Sequence, residues 1–217
     1  IVMDAGTGFH GVRQHVKTPY LDIFLTHLHD DHICGLLYIL GILYKKGISN
    51  ISIYGRKGIE KFLRKRQFAH PRFPVAIDQH ESITRAHIKI LGVSDVNWDH
   101  HLKAWRWDVL RDGKLYYVHA FPLPHLSGSS LAYDFLCVND GKRVVYATDT
   151  TLDLKNKNVR RFARALCVGP KVNLFIAECN FANRHKDLAR LTGHTFPCIL
   201  GEFLKLVNPK HAILTHL

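Results

Sequence analysis

The segment Thr26–His32, with the sequence Thr-His-Leu-His-Asp-Asp-His, constrains this chain more than any other feature. It places three imidazoles and two carboxylates within six positions, between the apolar segments Leu21–Leu25 and Ile33–Leu40. Histidine is the commonest metal-binding side chain, and carboxylates often accompany it around a divalent cation. Because a buried strand should precede this histidine motif and a buried helix should follow it, the motif predicts a metal site at a strand-to-helix turn. The alternative is a histidine-rich polar loop.

The spacing within the histidine motif favours two metal ions. His27 and His29 are two residues apart, so on extended backbone their side chains lie on the same side and can share one ion. Asp31 and His32 are adjacent at the predicted start of a helix, so they should diverge from that pair and serve a second ion. Two neighbouring cations can activate a water molecule that bridges them.

The net charge of the chain is strongly positive. There are 30 Lys and Arg residues against 18 Asp and Glu residues, which gives a formal charge of +12. This excess favours a polyanionic or phosphorylated partner, although a merely soluble basic surface remains an alternative. Two basic regions could track a phosphate backbone or could be solvated helix faces. The first comprises Lys45, Lys46, Arg56, Lys57, Lys61, Arg64, Lys65, Arg66 and Arg72, and the second comprises Lys155, Lys157, Arg160, Arg161 and Arg164.

Length and cysteine usage indicate the class of protein. The 217 residues fit a single domain over 1–217, and segments beyond either end could be missing from it. The five cysteines are odd in number and form no Cys-x-x-Cys pair, which predicts reduced, buried thiols in a cytoplasmic protein. The longest apolar run, Ile33–Tyr44, is shorter than the roughly 20 residues of a membrane span, so we expect no membrane partner.

The hydrophobic pattern predicts a mixed order of strands and helices, with strands dominating the middle of the chain. Such an order indicates sheets packed together and covered by helices. We expect a hairpin over Asn139–Gly141 and a loop over 69–82. Residues 2–8 are predicted to form a short strand that runs into a glycine turn. The other predicted strands lie near 21–25, 51–54, 86–92, 104–110, 115–121, 131–138, 143–147, 172–177 and 212–214, and the predicted helices near 31–46, 58–68, 157–167 and 196–207.

Polar residues recur where the predicted strands stop. Candidates of this kind are His125, Asp149, Glu178, His194 and His216. Taken singly, each residue is typical of a helix cap or a turn. Taken in series after the histidine motif, they predict that the ends of several strands converge on one site at a sheet edge.

With these residues in place, the chain resembles the metallo-β-lactamase fold superfamily, in particular its phosphodiesterase branch that includes ribonuclease Z. The resemblance runs from Asp4 to His216 and rests on the highly specific histidine motif and on the later strand-end residues. It implies an α/β fold, a four-layer αββα sandwich of two mixed β-sheets flanked by helices. It also implies two divalent metal ions, with Zn as the family default and Mn or Fe equally suited to His and Asp ligands.

The resemblance also implies a role for each candidate residue. It places one ion on His27, His29 and His125, the other on Asp31, His32 and His216, and a bridging carboxylate on Asp149. Two looser matches concern the proton transfers: His194 would protonate the leaving oxygen and Glu178 would orient His194. Asp31 could accept the proton of the attacking water. His119 competes with His125 for the ligand role, and we interpret His119 as an ordinary strand residue.

The function implied by the resemblance is hydrolysis of a phosphodiester, in RNA or a nucleotide-like substrate, through a metal-bridging hydroxide. The long glycine-rich arm typical of ribonuclease Z enzymes is missing between residues 55 and 112, so small cyclic phosphates become an alternative to transfer RNA. A lactone or thioester hydrolase on the same fold and a non-catalytic nucleic-acid-binding protein are further alternatives. β-Lactam hydrolysis is disfavoured, since no cysteine stands at a matching strand end. A homodimer is also expected to be possible.

Overall fold

The molecule divides into two compact units, Ile1–Asp95 and Val96–Leu217. The structure is a computed structural model that describes residues 1–39, 41, 47–126 and 128–215, without the side chain of Asp95. Each unit contains one β-sheet, helices and a hydrophobic core of its own. The predicted α/β class with two sheets and helices is therefore confirmed, while the single domain over 1–217 stays a prediction. The expectation that both sheets are mixed is wrong for the first unit, whose described strands are all parallel.

The first unit is built on a four-stranded sheet in the order β1-β2-β3-β4, with all neighbours parallel. Parallel strands covered on both faces are apolar along most of their length, which explains the apolar runs of the sequence. The strands are β1 Val2–Met3, β2 Tyr20–Phe24, β3 Asn50–Gly55 and β4 His87–Gly92. The helices are α1 Asp30–Ile33, α2 Ile59–Phe62 and α3 Ile77–Thr84, with 3-10 helices at Thr7–Gln14, Cys34–Tyr38 and Val93–Asp95 and a π-helix at Leu63–Gln67.

Over its described residues, the helix that follows the histidine motif is not the one continuous α-helix that the sequence predicts. After its first turn, α1 continues as a 3-10 helix, because neighbouring backbone takes part of its hydrogen bonding. The amide of Gly35 donates to the carbonyl of Ala5 at 2.7 Å, and the amide of Ala5 donates to the carbonyl of His32 at 2.7 Å. Residues 39 and 41 are again α-helical, and residues 40 and 42–46 of the predicted helix lie outside the described part of the chain.

The predicted loop over 69–82 is wrong at its end, where the helix α3 begins. The side chain of Gln79 accepts a hydrogen bond from the amide of Ala76 at 2.8 Å, which satisfies a group at the start of the helix. Ile77 and His80 are buried one turn apart. Because one of these two buried residues is a histidine, the apolar period of this helix is hard to recognise in the sequence.

The second unit is built on a seven-stranded sheet in the order β11-β10-β9-β8-β7-β6-β5. Neighbours from β5 to β9 are antiparallel, and β9, β10 and β11 are parallel. The strands are β5 Asn97–Asp99, β6 Ala104–Arg111, β7 Lys114–His125, β8 Gly128–Cys137, β9 Arg143–Ala147, β10 Leu174–Glu178 and β11 His211–Thr215. The helices are α4 Lys157–Leu166, α5 Lys186–Leu191 and α6 Pro197–Val207, with a 3-10 helix at Asn183–His185. The predicted hairpin is confirmed, whereas β5 and α5 were not predicted.

Aromatic packing joins two helices of the second unit to its sheet. Phe162 of α4 packs against Phe203 of α6 with ring centroids 5.8 Å apart, and Phe203 packs against Phe175 of β10 at 5.5 Å. All three rings are fully buried. Burial of this size is worth about 1.5–3 kcal/mol for each ring, so the position of α4 on the sheet is well determined.

The cysteines and the helices test two further expectations. All five cysteines are free of disulfide bonds. Cys137 and Cys179 are buried, but Cys167 and Cys198 are exposed, so the expectation of buried thiols is wrong for those two. Within the described ranges, no helix combines the length and apolar composition needed to cross a bilayer. The cytoplasmic location stays a prediction.

Candidate metal centre

Parallel strands bring the histidine motif next to an aspartate from the start of the chain. β1 and β2 are parallel neighbours, so the residues that follow them lie at the same edge of the sheet. The amide of Asp4 donates to the carbonyl of Phe24 at 2.8 Å, which fixes Asp4 beside the beginning of the motif. We call Asp4, Thr26, His27, His29, Asp31 and His32 the first cluster.

The carboxylate of Asp4 orients two histidine rings of the first cluster. It accepts hydrogen bonds from the amide of Thr26 at 2.8 Å and from the hydroxyl of Thr26 at 3.0 Å, and it lies 2.8 Å from Nδ1 of His32. Since the single hydroxyl proton of Thr26 is donated to Asp4, Nδ1–H of His27 donates to Thr26 Oγ1 at 3.0 Å. Both Nδ1 atoms are thus engaged, and Nε2 carries the lone pair in each neutral ring.

His27 and His29 lie at a separation that suits a shared ion. Nε2 of His27 is 2.9 Å from Nδ1 of His29. Two nitrogens that bind one zinc ion tetrahedrally at 2.0–2.1 Å would be roughly 3.3 Å apart. The predicted same-side arrangement of this pair is therefore confirmed, and a small adjustment gives the distance a shared ion requires.

Asp31 and His32 lie close to one another at the start of α1. Nε2 of His32 is 3.5 Å from Oδ2 of Asp31, and the Asp31 side chain is 61% exposed. His32 does not diverge from the first pair as expected, because its ring centroid is only 4.2 Å from that of His27. The first turn of α1 brings His32 back beside His27. A residue expected to bind the first ion therefore lies next to one expected to bind the second.

The second unit gathers His125, Asp149 and Glu178 at one edge of its sheet. β7 and β9 are both antiparallel to β8, so they run in the same direction, and β10 is parallel to β9. His125 ends β7, Glu178 ends β10 and Asp149 follows β9 by two residues. The expected convergence of these strand ends is confirmed. We call His125, Asp149, Glu178 and His194 the second cluster.

Three residues of the second cluster can approach one ion. His125, Asp149 and His194 each offer a ligand atom, and these atoms lie within 4.8 Å of one another. Nδ1–H of His125 donates to the carbonyl of Gly193 at 3.2 Å, so Nε2 is again the nitrogen that carries the lone pair. Asp149 is buried and has a left-handed backbone with φ of 48°, a conformation that costs about 1–3 kcal/mol and often occurs at functional sites.

The buried carboxylate of Glu178 fixes the position of the His194 ring. Its Oε1 accepts from the amide of Thr150 at 2.7 Å, and its Oε2 lies 2.8 Å from Nδ1 of His194. Burial raises the pKa of the Glu178 carboxyl, and the hydrogen bond with His194 opposes that rise. Because Nδ1 of His194 faces Glu178, Nε2 is the nitrogen placed to carry a transferable proton.

The donor set fits divalent cations in both clusters. His27, His32 and His125 each present Nε2 while an outer oxygen holds Nδ1, which is the usual arrangement of metal-binding histidine. Imidazole and carboxylate together suit Zn, Mn and Fe. His119 is buried on β7 and belongs to no candidate ligand group among the described residues, in agreement with its interpretation as a strand residue. His216, the remaining expected ligand, lies outside the described residues.

Sequence reasoning missed the supporting residues of both clusters. Asp4 was identified from the sequence only as the start of the family resemblance, and no role was predicted for Thr26, Thr150 or Gly193. Only Asp4 had a signal in the sequence: it is a polar residue directly after a short apolar strand. The same signal identified Asp149 and Glu178. The contacts of Thr26, Thr150 and Gly193 are made through a hydroxyl or the backbone, which the sequence pattern does not reveal.

Comparisons with known proteins find chains that are similar in sequence and in fold. Ribonuclease Z of Streptococcus sanguinis is 24% identical over 90% of this chain and 70% of its own length. The structure of human tRNase Z, short form, superposes with a TM-score of 0.65 and 22% identity, covering 99% of this chain and 80% of that one. Yeast PDE1 superposes with a TM-score of 0.66 and 18% identity, covering 91% of this chain and 57% of that one.

The whole chain also matches a family profile. The profile describes a beta-lactamase superfamily domain, and the match covers residues 1–217. The fold similarity and the histidine motif support the same family assignment as that profile. The chain therefore belongs to the metallo-β-lactamase superfamily.

Proposed function

We propose that this protein is a metal-dependent hydrolase that cleaves phosphodiester bonds with two divalent cations. The observation that carries the proposal is the set of histidines whose Nδ1 atoms are held by outer oxygens, His27, His32 and His125. Relatives named ribonuclease Z support the phosphodiester as the bond that is cleaved. The charge of +12 supports an anionic substrate.

The family resemblance assigns the ligands in this proposal. His27, His29 and His125 would hold one cation, Asp31, His32 and His216 would hold the other, and Asp149 would supply a further carboxylate ligand. Zn is the preferred cation, and Mn or Fe would suit the same donors. Two cations held there would neutralise phosphate charge and lower the pKa of a water molecule that could then act as the nucleophile.

Two residues of the chain would move protons. Asp31 is a largely exposed carboxylate beside His32, so it can accept a proton from the attacking water. His194 would donate a proton from Nε2 to the leaving oxygen, while Glu178 holds the opposite side of the ring at 2.8 Å. Glu178 is fully buried and acts by positioning His194, since it is also tied to the amide of Thr150.

We further propose RNA as the substrate class. The relatives named ribonuclease Z and tRNase Z favour RNA over a small cyclic phosphate, a lactone or a thioester. A panel of precursor transfer RNA, a 2′,3′-cyclic nucleotide and a lactone tests this choice, with the metal content of the protein measured in parallel. Activity on the lactone alone would overturn the phosphodiesterase assignment.

The central test compares three alanine variants of the histidine motif. His29→Ala and Asp31→Ala should abolish hydrolysis of bis-p-nitrophenyl phosphate while circular dichroism shows an intact fold. Asp30→Ala is the matched control, because Asp30 is an exposed neighbouring carboxylate that pairs with Arg72 at 2.5 Å. This control should retain activity. Undiminished turnover by both His29→Ala and Asp31→Ala would refute the assignment.

A further inference from the structure

A concave basic surface lies on the second unit, outside both clusters. It lines an open cavity of about 410 Å³ between one face of α4 and the turn that joins β5 to β6. We call this surface the basic groove. Its charged lining consists of Lys103, Lys157, Arg160, Arg161 and Arg164, together with His101.

The helix contributes its cations at regular spacing. Lys157, Arg160, Arg161 and Arg164 follow one another at i, i+3, i+4 and i+7, so they share one face of α4. Pairs of like charge at i and i+4 destabilise a helix, and the first turn of α4 contains no acidic residue to offset them. A bound polyanion would remove this repulsion.

Within the described part of the chain, the lysines and arginines of the groove lack neutralising carboxylate partners. Among the described residues, none of its lysines and arginines forms an ion pair with a carboxylate. Arg160 instead donates to the carbonyls of Leu154 and Lys155 at 3.0 and 2.9 Å, which fixes its guanidinium. The lining contains no acidic side chain. The groove is therefore a concentrated positive field that can attract anions.

The walls of the groove are held rigidly. On one side, the side chain of Asp99 accepts from the amides of His101 and Leu102 at 2.8 Å, which fixes the turn that carries His101 and Lys103. On the other side, Nη1 of the buried Arg143 donates to carbonyls at the end of α4, including that of Leu166 at 3.1 Å. A preformed site loses less entropy on binding than a flexible one.

We propose that the basic groove binds the phosphate backbone of an RNA substrate at a distance from the bond that is cleaved. Apart from His101, its lining offers no aromatic ring for base stacking, so the chemistry favours phosphate contacts that are independent of base sequence. Lys157 follows Asp149 by eight residues, so the two lie within about 29 Å of each other, a span that one RNA molecule can bridge. This inference rests on the proposed function.

The test compares two double variants of equal charge change. Arg161→Ala/Arg164→Ala removes two exposed cations of the groove and places alanine, the best helix former, in α4. Lys114→Ala/Lys210→Ala is the control, since these exposed lysines of the same unit do not line the groove. Binding of a fluorescein-labelled single-stranded oligouridylate is measured by anisotropy from 50 to 300 mM salt, alongside hydrolysis of bis-p-nitrophenyl phosphate.

The groove variant should lose RNA affinity by about 25-fold at 0.1 M salt, since each phosphate contact to a single strand is worth about fivefold there. The slope of log affinity against log salt should fall by about 1.4, whereas the control keeps both values. Hydrolysis of the small substrate should be unchanged in both variants. Absent hydrolysis in the wild type would count against the proposed function alone, because the RNA comparison remains measurable.

Two results would overturn the proposal. One is an equal change of RNA affinity in both double variants, which would mean that only the net charge matters. The other is unchanged RNA affinity in the groove variant with lost binding to vesicles of anionic lipid, which would assign the groove to a membrane surface.

Discussion

The two clusters reach similar chemistry by different routes. Five of the six residues of the first cluster come from the histidine motif, whereas the four residues of the second cluster are spread over residues 125–194. Each cluster contains a buried carboxylate 2.8 Å from Nδ1 of a histidine, Asp4 beside His32 and Glu178 beside His194. The comparison shows that identical hydrogen bonds can support different roles, since His32 is proposed to bind metal and His194 to transfer a proton.

Between the two carboxylate–histidine pairs, the larger effect is expected from His194, because general acid catalysis contributes about 10²- to 10⁴-fold to a rate. His194→Ala should lower kcat for an RNA substrate by that factor and remove the limb of the pH profile that reports the acid. Bound metal, measured by mass spectrometry, should stay unchanged.

Asp149→Ala provides the contrast, since it should lower the bound metal as well as the rate. His194 also lies within reach of His125 and Asp149, with ligand atoms within 4.8 Å. A fall in bound metal in His194→Ala would therefore identify His194 as a metal ligand. The two carboxylate–histidine pairs would then have the same role.

Substitution of Asp4, the buried carboxylate of the first cluster, should have a smaller effect, and the effect should be on metal affinity. Asp4→Asn weakens the support of His32 and Thr26, and loss of such outer support reduces metal affinity about 10- to 100-fold. Competition with a chelator measures that affinity. Asp22→Asn is a suitable control, because Asp22 is another buried aspartate of the same unit whose carboxylate accepts from Tyr54 at 3.3 Å, away from the cluster. Equal losses in both variants would indicate a general destabilisation of the unit.

The ease of prediction differs between the clusters for a physical reason. His27 and His29 could be paired from sequence because the period of extended backbone is two residues. Asp149 and Glu178 could be placed together only by assuming that their strands run in the same direction, and that assumption held. The position of His32 beside His27 could not be predicted, because it depends on where the first turn of α1 begins.

Backbone contacts limited the prediction of the fold in the same way. The early end of α1 follows from the hydrogen bond between Gly35 and Ala5, which are thirty residues apart in sequence. The helix α3 was missed because His80, a polar residue by pattern, is fully buried between aromatic rings. Local periodicity describes the strands well, but it does not contain such long-range contacts.

Glycines at the two clusters allow a matched test of close backbone packing. A Cβ at Gly193 would lie 2.3 Å from the amide nitrogen of Leu126, and one at Gly6 would lie 2.1 Å from the carbonyl oxygen of Asp31. Alanine at either position should reduce the free energy of unfolding by about 1–3 kcal/mol in urea titrations. The loss should be larger at Gly193, whose φ of 74° disfavours any side chain.

Gly201 on α6 is the control for this pair. A Cβ there meets no atom within 4 Å, so Gly201→Ala should stabilise the helix by up to about 1 kcal/mol. A neutral result for Gly193→Ala would show that the backbone beside His125 can relax, and the second cluster would then be less rigid than its hydrogen bonds indicate.

The smallest effect concerns a buried histidine of the first unit that lies outside the first cluster. Burial lowers the pKa of His80, so its neutral form is favoured in the folded state. The unfolded chain therefore binds more protons near pH 6.5, and the stability from this group is present above that pH and lost as the pH falls below it. One such group changes the free energy of unfolding by at most about 1.4 kcal/mol per pH unit.

Urea titrations between pH 7.5 and 5 measure this dependence. His80→Leu should flatten it, while His100→Gln, at an exposed position, should leave it unchanged. Because His80 stacks on Phe73 at 5.8 Å and belongs to no candidate ligand group among the described residues, its titration should alter stability without altering bound metal at neutral pH. An unchanged pH dependence in His80→Leu would mean that the histidines of the first cluster cause the acid sensitivity of the first unit. Loss of stability and loss of metal would then occur together.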